Sequence, residues 1–115
     1  MIINIGLDLI EKKRIKKNVI KYKKTFINKI LSNEEKKQYI IKNKKIEFLS
    51  KIFAAKEGIS KALGTGFRNK IKLKNIKIKN TELKKPYINI KNIKTYITIS
   101  HEKNITIVLM MLIKV

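Results

Sequence analysis

Three patterns in the 115-residue chain predict an α+β domain with a mainly antiparallel sheet. The chain opens on an apolar run of strand length, IINIGLDL. From there to Leu63, apolar residues recur every three or four positions. After Leu73 the period falls to two, in short segments with close connections. The implied order is an N-terminal strand, three helices and then a set of strands, in one domain spanning residues 1–115.

Ile2 to Leu9 reads as a buried strand, polar only at Asn4 and Asp8. Gly6 inside it marks a close approach of another backbone. Ile10 to Ile30 reads as one helix. Ile15, Val19, Tyr22, Phe26 and Ile30 form its apolar stripe, and Arg14, Lys17, Lys21, Lys24 and Lys29 lie on the other face. Ser32-Asn33-Glu34-Glu35 is a capping box: the serine hydroxyl accepts from the Glu35 backbone, and the glutamate reaches back. A short helix follows to about Lys42, then a polar loop from Lys42 to Lys45. The third helix runs from Glu47 to Leu63 on a stripe of Phe48, Ile52, Ala55, Ile59 and Ala62. Gly64 stands where a C-terminal helix cap belongs. Leu73–Lys79, Pro86–Ile90, Tyr96–Ser100 and Ile105–Ile113 complete the strands. The last is apolar at nearly every position, which predicts a central place in the sheet.

Composition narrows the function classes. There is no cysteine, which excludes thiol catalysis, disulfides and thiolate zinc sites. No apolar run approaches the roughly 20 residues of a membrane helix, and the N-terminus lacks the basic region and cleavage site of a signal peptide. A cytoplasmic protein is expected. The formal charge is +21. Such a charge suits an acidic partner: nucleic acid, an anionic membrane or an acidic protein. Enrichment in Lys, Ile and Asn produces the same excess with no partner at all. A non-enzymatic, basic nucleic-acid-binding module is the alternative reading of the whole chain, although no RNA-binding motif or aromatic stacking strip supports it.

Few residues can carry chemistry. Asp8 is the only aspartate, and a carboxylate in an apolar strand needs either an ion-pair partner or a bound cation. Glu57, Lys61 and Gly64 share one helix face at i, i+4 and i+7. They form either an exposed ion pair or a metal carboxylate beside a lysine for phosphate. Gly64-Thr65-Gly66 follows, without the spacing of a Walker A loop. His101, the only histidine, lies in Ser100-His101-Glu102-Lys103 between two strands, in either a structural or a proton-handling role. No GxSxG occurs, so a serine hydrolase is not supported.

Read together, the pieces have a known order. Ile5-Gly6-Leu7-Asp8-Leu9-Ile10-Glu11 is followed by Phe53-Ala54-Ala55-Lys56-Glu57, Lys61-Ala62-Leu63-Gly64-Thr65-Gly66, Lys85-Pro86-Tyr87 and Ile99-Ser100-His101-Glu102-Lys103. Over essentially its whole length the chain resembles the holo-(acyl-carrier-protein) synthases, the small single-domain 4'-phosphopantetheinyl transferases. The resemblance implies that fold. It also implies transfer of 4'-phosphopantetheine from coenzyme A to a serine of apo acyl carrier protein in fatty acid biosynthesis, releasing adenosine 3',5'-bisphosphate. By the same resemblance Asp8 and Glu57 match the carboxylates for Mg2+, and Lys61 matches the lysine near the pyrophosphate. Gly64, Thr65, Gly66, Pro86 and His101 fall in segments lining the coenzyme A pocket. His101 or a metal-bound water is the implied base. Arg14, with Lys21 and Lys24, matches the basic helix that docks an acidic carrier protein, and a homotrimer is implied. The family pattern reads Arg-Phe-Ala-Ala-Lys-Glu-Ala; here Ile52 and Gly58 replace its first and last residues.

Overall fold

A computed structural model describes residues 2–63 and 72–115. The elements are β1 (Ile2–Glu11), α1 (Lys12–Tyr22), α2 (Lys24–Ile30), α3 (Asn33–Ile41), α4 (Ile46–Leu63), a 3-10 turn at Leu73–Asn75, β2 (Ile78–Asn80), β3 (Pro86–Ile88), β4 (Ile93–His101) and β5 (Ile105–Lys114). The α+β class holds. β5 lies between β1 and β4 and runs antiparallel to both, the central place its continuous apolarity predicts. β2 and β3 form a separate antiparallel pair. Thr95 joins that pair to the main sheet, its hydroxyl oxygen accepting from the Ile88 backbone N–H at 3.1 Å.

α4 covers one face of the sheet, and the core of Ile15, Leu49, Ile59, Val108, Met110 and Leu112 fills the space between. Gly6 permits the contact. A Cβ there would stand 2.7 Å from the Gly58 carbonyl oxygen and 3.1 Å from the Ala62 Cβ. Backbone cannot give way as a side-chain tip can, so Gly6→Ala should lose about 1–3 kcal/mol, read as a lower urea midpoint. Gly58 serves the same packing from the helix side. A Cβ there would meet Met110 Cε at 2.9 Å, so Met110 fills the room that the missing methyl leaves.

Several boundaries differ from expectation. β1 is not buried on both faces: Gly6, Asp8 and Ile10 point at α4, while Ile5, Leu7 and Leu9 are exposed, because α4 covers only one side. The expected helix over residues 10–30 is two helices. Ile10 and Glu11 stay paired in β1, and the helical run breaks at Lys23 (φ 50°, ψ −126°), a setting rare for a residue with a side chain. Lys23 N–H closes α1 on the Val19 carbonyl at 2.9 Å. The bend buries both Ile15 and Ile30 and sets Phe26 6.2 Å from Phe53 of α4, centroid to centroid. Leu73–Lys79 begins as a 3-10 turn, and only its end is strand, although Ile76 and Ile78 are both buried as the alternation requires. β3 ends at Ile88; Ile90 makes an isolated bridge to Ile93. His101 is the last residue of β4 rather than part of the turn.

The capping box forms as predicted: Glu35 N–H donates to Ser32 Oγ at 3.3 Å, and Ser32 N–H donates to Glu35 Oε1 at 2.8 Å. The same glutamate then does more. Lys56 Nζ, wholly buried in α4, donates to Glu35 Oε1 at 2.5 Å and to the Ile30 carbonyl at 2.6 Å. Ile78 N–H donates to Glu35 Oε2 at 3.0 Å. One buried ion pair thus joins the end of α2, the start of α3, the middle of α4 and β2. Burial pulls the Lys56 ammonium below its usual range, and the Glu35 hydrogen bond and charge offset part of that.

Candidate active site

Asp8 projects from β1 onto α4 at Gly58, where a Cβ would lie 3.9 Å from its own. The aspartate is 6% exposed. Its Oδ1 accepts from Lys61 Nζ at 2.7 Å, and Lys61 itself is open to solvent. Its Oδ2 is buried with no hydrogen-bond partner. Glu57 lies half-buried on the same helix. Burial raises its carboxyl above the ordinary range, the charge of Asp8 adds to the rise, and Lys61 and Arg14 pull it back. Lys61 therefore bonds across the fold to Asp8 instead of forming the i,i+4 pair open to it on α4. Two carboxylates crowd one cation here, and one buried oxygen has no partner.

That arrangement fits a hard divalent cation, which takes oxygen donors and relieves both the orphaned atom and the repulsion. Among the described residues no group of three or more His, Asp and Glu side chains converges. Two protein carboxylates with remaining positions for water and phosphate oxygens is the donor set that Mg2+ commonly accepts.

His101 lies elsewhere. Its Nδ1 is 2.6 Å from Glu47 Oε1, at the first turn of α4. Glu47 and Glu57 are ten residues apart on one helix, about 15 Å along its axis. Between β2, the start of β3 and the first half of α4 opens a cleft of about 850 Å3, whose lining includes Lys42, Lys45, Glu47, Lys51, Ile52, Lys84 and Pro86. Pro86 and Ile99 are thus in the cleft, His101 lies two residues beyond Ile99 on the same face of β4, and Ile52 gives the cleft an apolar patch flanked by lysines. Arg14 and Lys21 on α1 and Lys24 on α2 are all exposed. Gly64, Thr65 and Gly66 lie outside the described residues. Sequence reading missed Glu47 and the Glu35–Lys56 pair, because no local pattern marks a partner brought in by the fold.

Comparison with known proteins bears on this geometry. Residues 4–108 match the sequence profile of the 4'-phosphopantetheinyl transferase superfamily. A holo-(acyl-carrier-protein) synthase from Geobacillus sp. (strain WCH70) is 39% identical over 111 residues, covering 93% of this chain and 92% of that one. The crystal structure of a holo-(acyl-carrier-protein) synthase from Neisseria meningitidis superposes with a TM-score of 0.89 at 30% identity, over 99% of this chain and 100% of that one. One from Bacillus anthracis str. Ames, crystallised in complex with CoA (3',5'-ADP), superposes with a TM-score of 0.82 at 32% identity, over 97% and 96%.

Proposed function

The chain belongs to the 4'-phosphopantetheinyl transferase superfamily, in its holo-(acyl-carrier-protein) synthase group, and from that membership we propose how its residues divide the work. The enzyme transfers 4'-phosphopantetheine from coenzyme A to a serine of apo acyl carrier protein, a step that supplies fatty acid biosynthesis. The serine oxygen forms a bond to the phosphorus that carries pantetheine, and the hydroxyl proton is released to solvent. The bond from that phosphorus to the bridging oxygen breaks, and adenosine 3',5'-bisphosphate leaves.

Asp8 and Glu57 hold Mg2+. The observation that carries this is Asp8 Oδ2, buried and unpartnered beside a carboxylate whose own ionisation is disfavoured. Mg2+ held there would supply Lewis-acid charge neutralisation at phosphate oxygens. Lys61 is anchored at Asp8 yet 56% exposed, so its ammonium is placed to meet the bridging phosphates and the charge that develops on the leaving oxygen. The cleft beside Pro86 receives the nucleotide end of coenzyme A. Lys42, Lys45, Lys51 and Lys84 supply the positive charge that the family's arginine would bring at Ile52. His101, paired with Glu47, which stands about 15 Å along α4 from Glu57, serves as a contact to coenzyme A and not as the base within its own subunit. Arg14, Lys21 and Lys24 present a basic surface to an acidic carrier protein. The test is direct: purified protein with Mg2+, coenzyme A and apo acyl carrier protein must add one phosphopantetheine to the carrier, read by mass, and chelation must stop it.

The enzyme works in the cytoplasm as a homotrimer. In support, the uncovered face of the sheet presents Ile5, Leu7 and Leu9 from β1, Leu109 from β5 and Tyr96 from β4, each about half exposed or more, as one apolar surface. Light scattering should report three times the 13.5 kDa chain mass. Leu7→Asp should lower that to one chain and cut transfer, because a charge cannot be desolvated in such a contact.

A further inference from the structure

His101 and Glu47 form a pair that the chemistry at Asp8 and Glu57 does not use. Nδ1 and Oε1 are 2.6 Å apart, and both side chains remain about two-fifths exposed at 39% and 40%. The carboxylate is held from a second side. Lys12 Nζ, on α1, lies 3.7 Å from the same Oε1 and donates to the Glu102 carbonyl at 2.5 Å. The Lys12 backbone N–H donates to the Asn104 carbonyl at 2.9 Å. The first turns of α1 and α4 and the turn between β4 and β5 thus close around one glutamate. Lys51 of α4 is the remaining charged group that acts on it. β5 and β1 bring Thr106 and Ile10 level with His101, and neither titrates. Burial acts to raise the Glu47 carboxyl, but His101, Lys51 and Lys12 together outweigh it and hold the group below its usual range.

An imidazolium paired at Nδ1 with a carboxylate has its orientation set and keeps Nε2, on the opposite edge, for a ligand. Glu47 and Ile99 both line the lysine-flanked cleft, and His101 follows Ile99 by two residues on the same face of β4, which sets the exposed ring beside the cleft's rim. We propose that Glu47 is a positioning residue: its carboxylate pairs with Nδ1 of His101 as the imidazolium, in which both ring nitrogens are donors, and keeps Nε2–H set as a donor to the phosphate groups of coenzyme A. The inference rests on the reading of this cleft as the coenzyme A site. By this route a residue at the start of a helix, far from the transfer centre, acts on the nucleotide substrate. Near the N-terminus of α4 a glutamate also complements the helix dipole; that role alone would not pass through His101.

A double-mutant cycle separates the two roles. Coenzyme A dissociation constants are measured by calorimetry for the parent, Glu47→Ala, His101→Ala and the double variant, each checked for parent-like circular dichroism. Glu47→Ala should weaken coenzyme A about tenfold, the scale of one charge-assisted hydrogen bond. The same change in the His101→Ala background should add little. In turnover, the loss should fall on KM for coenzyme A rather than on kcat. Glu47→Gln, whose amide oxygen can face Nδ1 without the charge, should recover part of it. Equal losses in both backgrounds, or no loss in Glu47→Ala, would overturn the proposal. If the parent binds no coenzyme A, or His101→Ala binds it as tightly as the parent, the reading of the cleft fails first and the positioning role falls with it.

Discussion

Asp8→Asn should abolish transfer, by about a thousandfold or more, while the folded chain stays within about 1 kcal/mol of the parent. The two halves of this expectation have one cause. Asp8 is buried with one oxygen partnered by Lys61 and the other by nothing. The amide is nearly the same shape, and its oxygen can still accept from Lys61. It removes a buried charge that also disfavours ionisation of Glu57. What it gives up is a pair whose lysine is largely in water, and such pairs contribute little. On the proposal that Asp8 serves a cation, a neutral amide should fold as well and fail to hold the ion. Transfer is followed by mass of the carrier protein, and stability by urea denaturation. Mg2+ should raise the unfolding midpoint of the parent and not of the variant, since a ligand stabilises only the fold that binds it. Parent-like turnover in Asp8→Asn would remove the residue from the metal site.

Lys56→Met should show the opposite profile. Removing the ammonium leaves Glu35 buried and charged, with the Ile30 carbonyl also short of a donor. Breaking a buried pair from one side typically costs about 3–5 kcal/mol, which is a large fraction of the stability of a small domain. The loss should appear as a large drop in the denaturation midpoint. Protein that remains folded at low temperature should retain its coenzyme A affinity, because Lys56 points into the core and touches no part of the cleft. Pairing Lys56→Met with Glu35→Leu should recover much of the loss, since an apolar replacement of both partners removes the unmatched charge. Ser32 and Ile78 would still have backbone donors to satisfy, so recovery should be incomplete. A single variant as stable as the parent would show that the pair does not hold the four elements together.

Much of the fold was legible in the residues because the forces that set it are local. The capping box at Ser32–Glu35, the stripe of α4, the central position of β5 and the close approach at Gly6 were each written within a few positions. A period, a cap or a missing Cβ acts on immediate neighbours. The errors fell where packing overruled local preference. Nothing in Tyr22-Lys23-Lys24 marks a helix break, and the bend exists because Ile15 and Ile30 must enter one core. Leu73–Lys79 alternates as a strand should, but only its end found a partner strand.

Asp8 shows the same division. The residues alone set its solitary place in an apolar strand, and the order of motifs linked it with Glu57. Only the tertiary structure decided that Lys61, 53 positions away, takes one of its oxygens and leaves the other bare. The fold alone likewise gave Lys56 to Glu35 and Glu47 to His101. The physical reason is that periodicity and capping depend on neighbours in the chain. A buried charge is satisfied by whatever group the completed packing brings within about 3 Å, and that distance exists only once strand and helix have met.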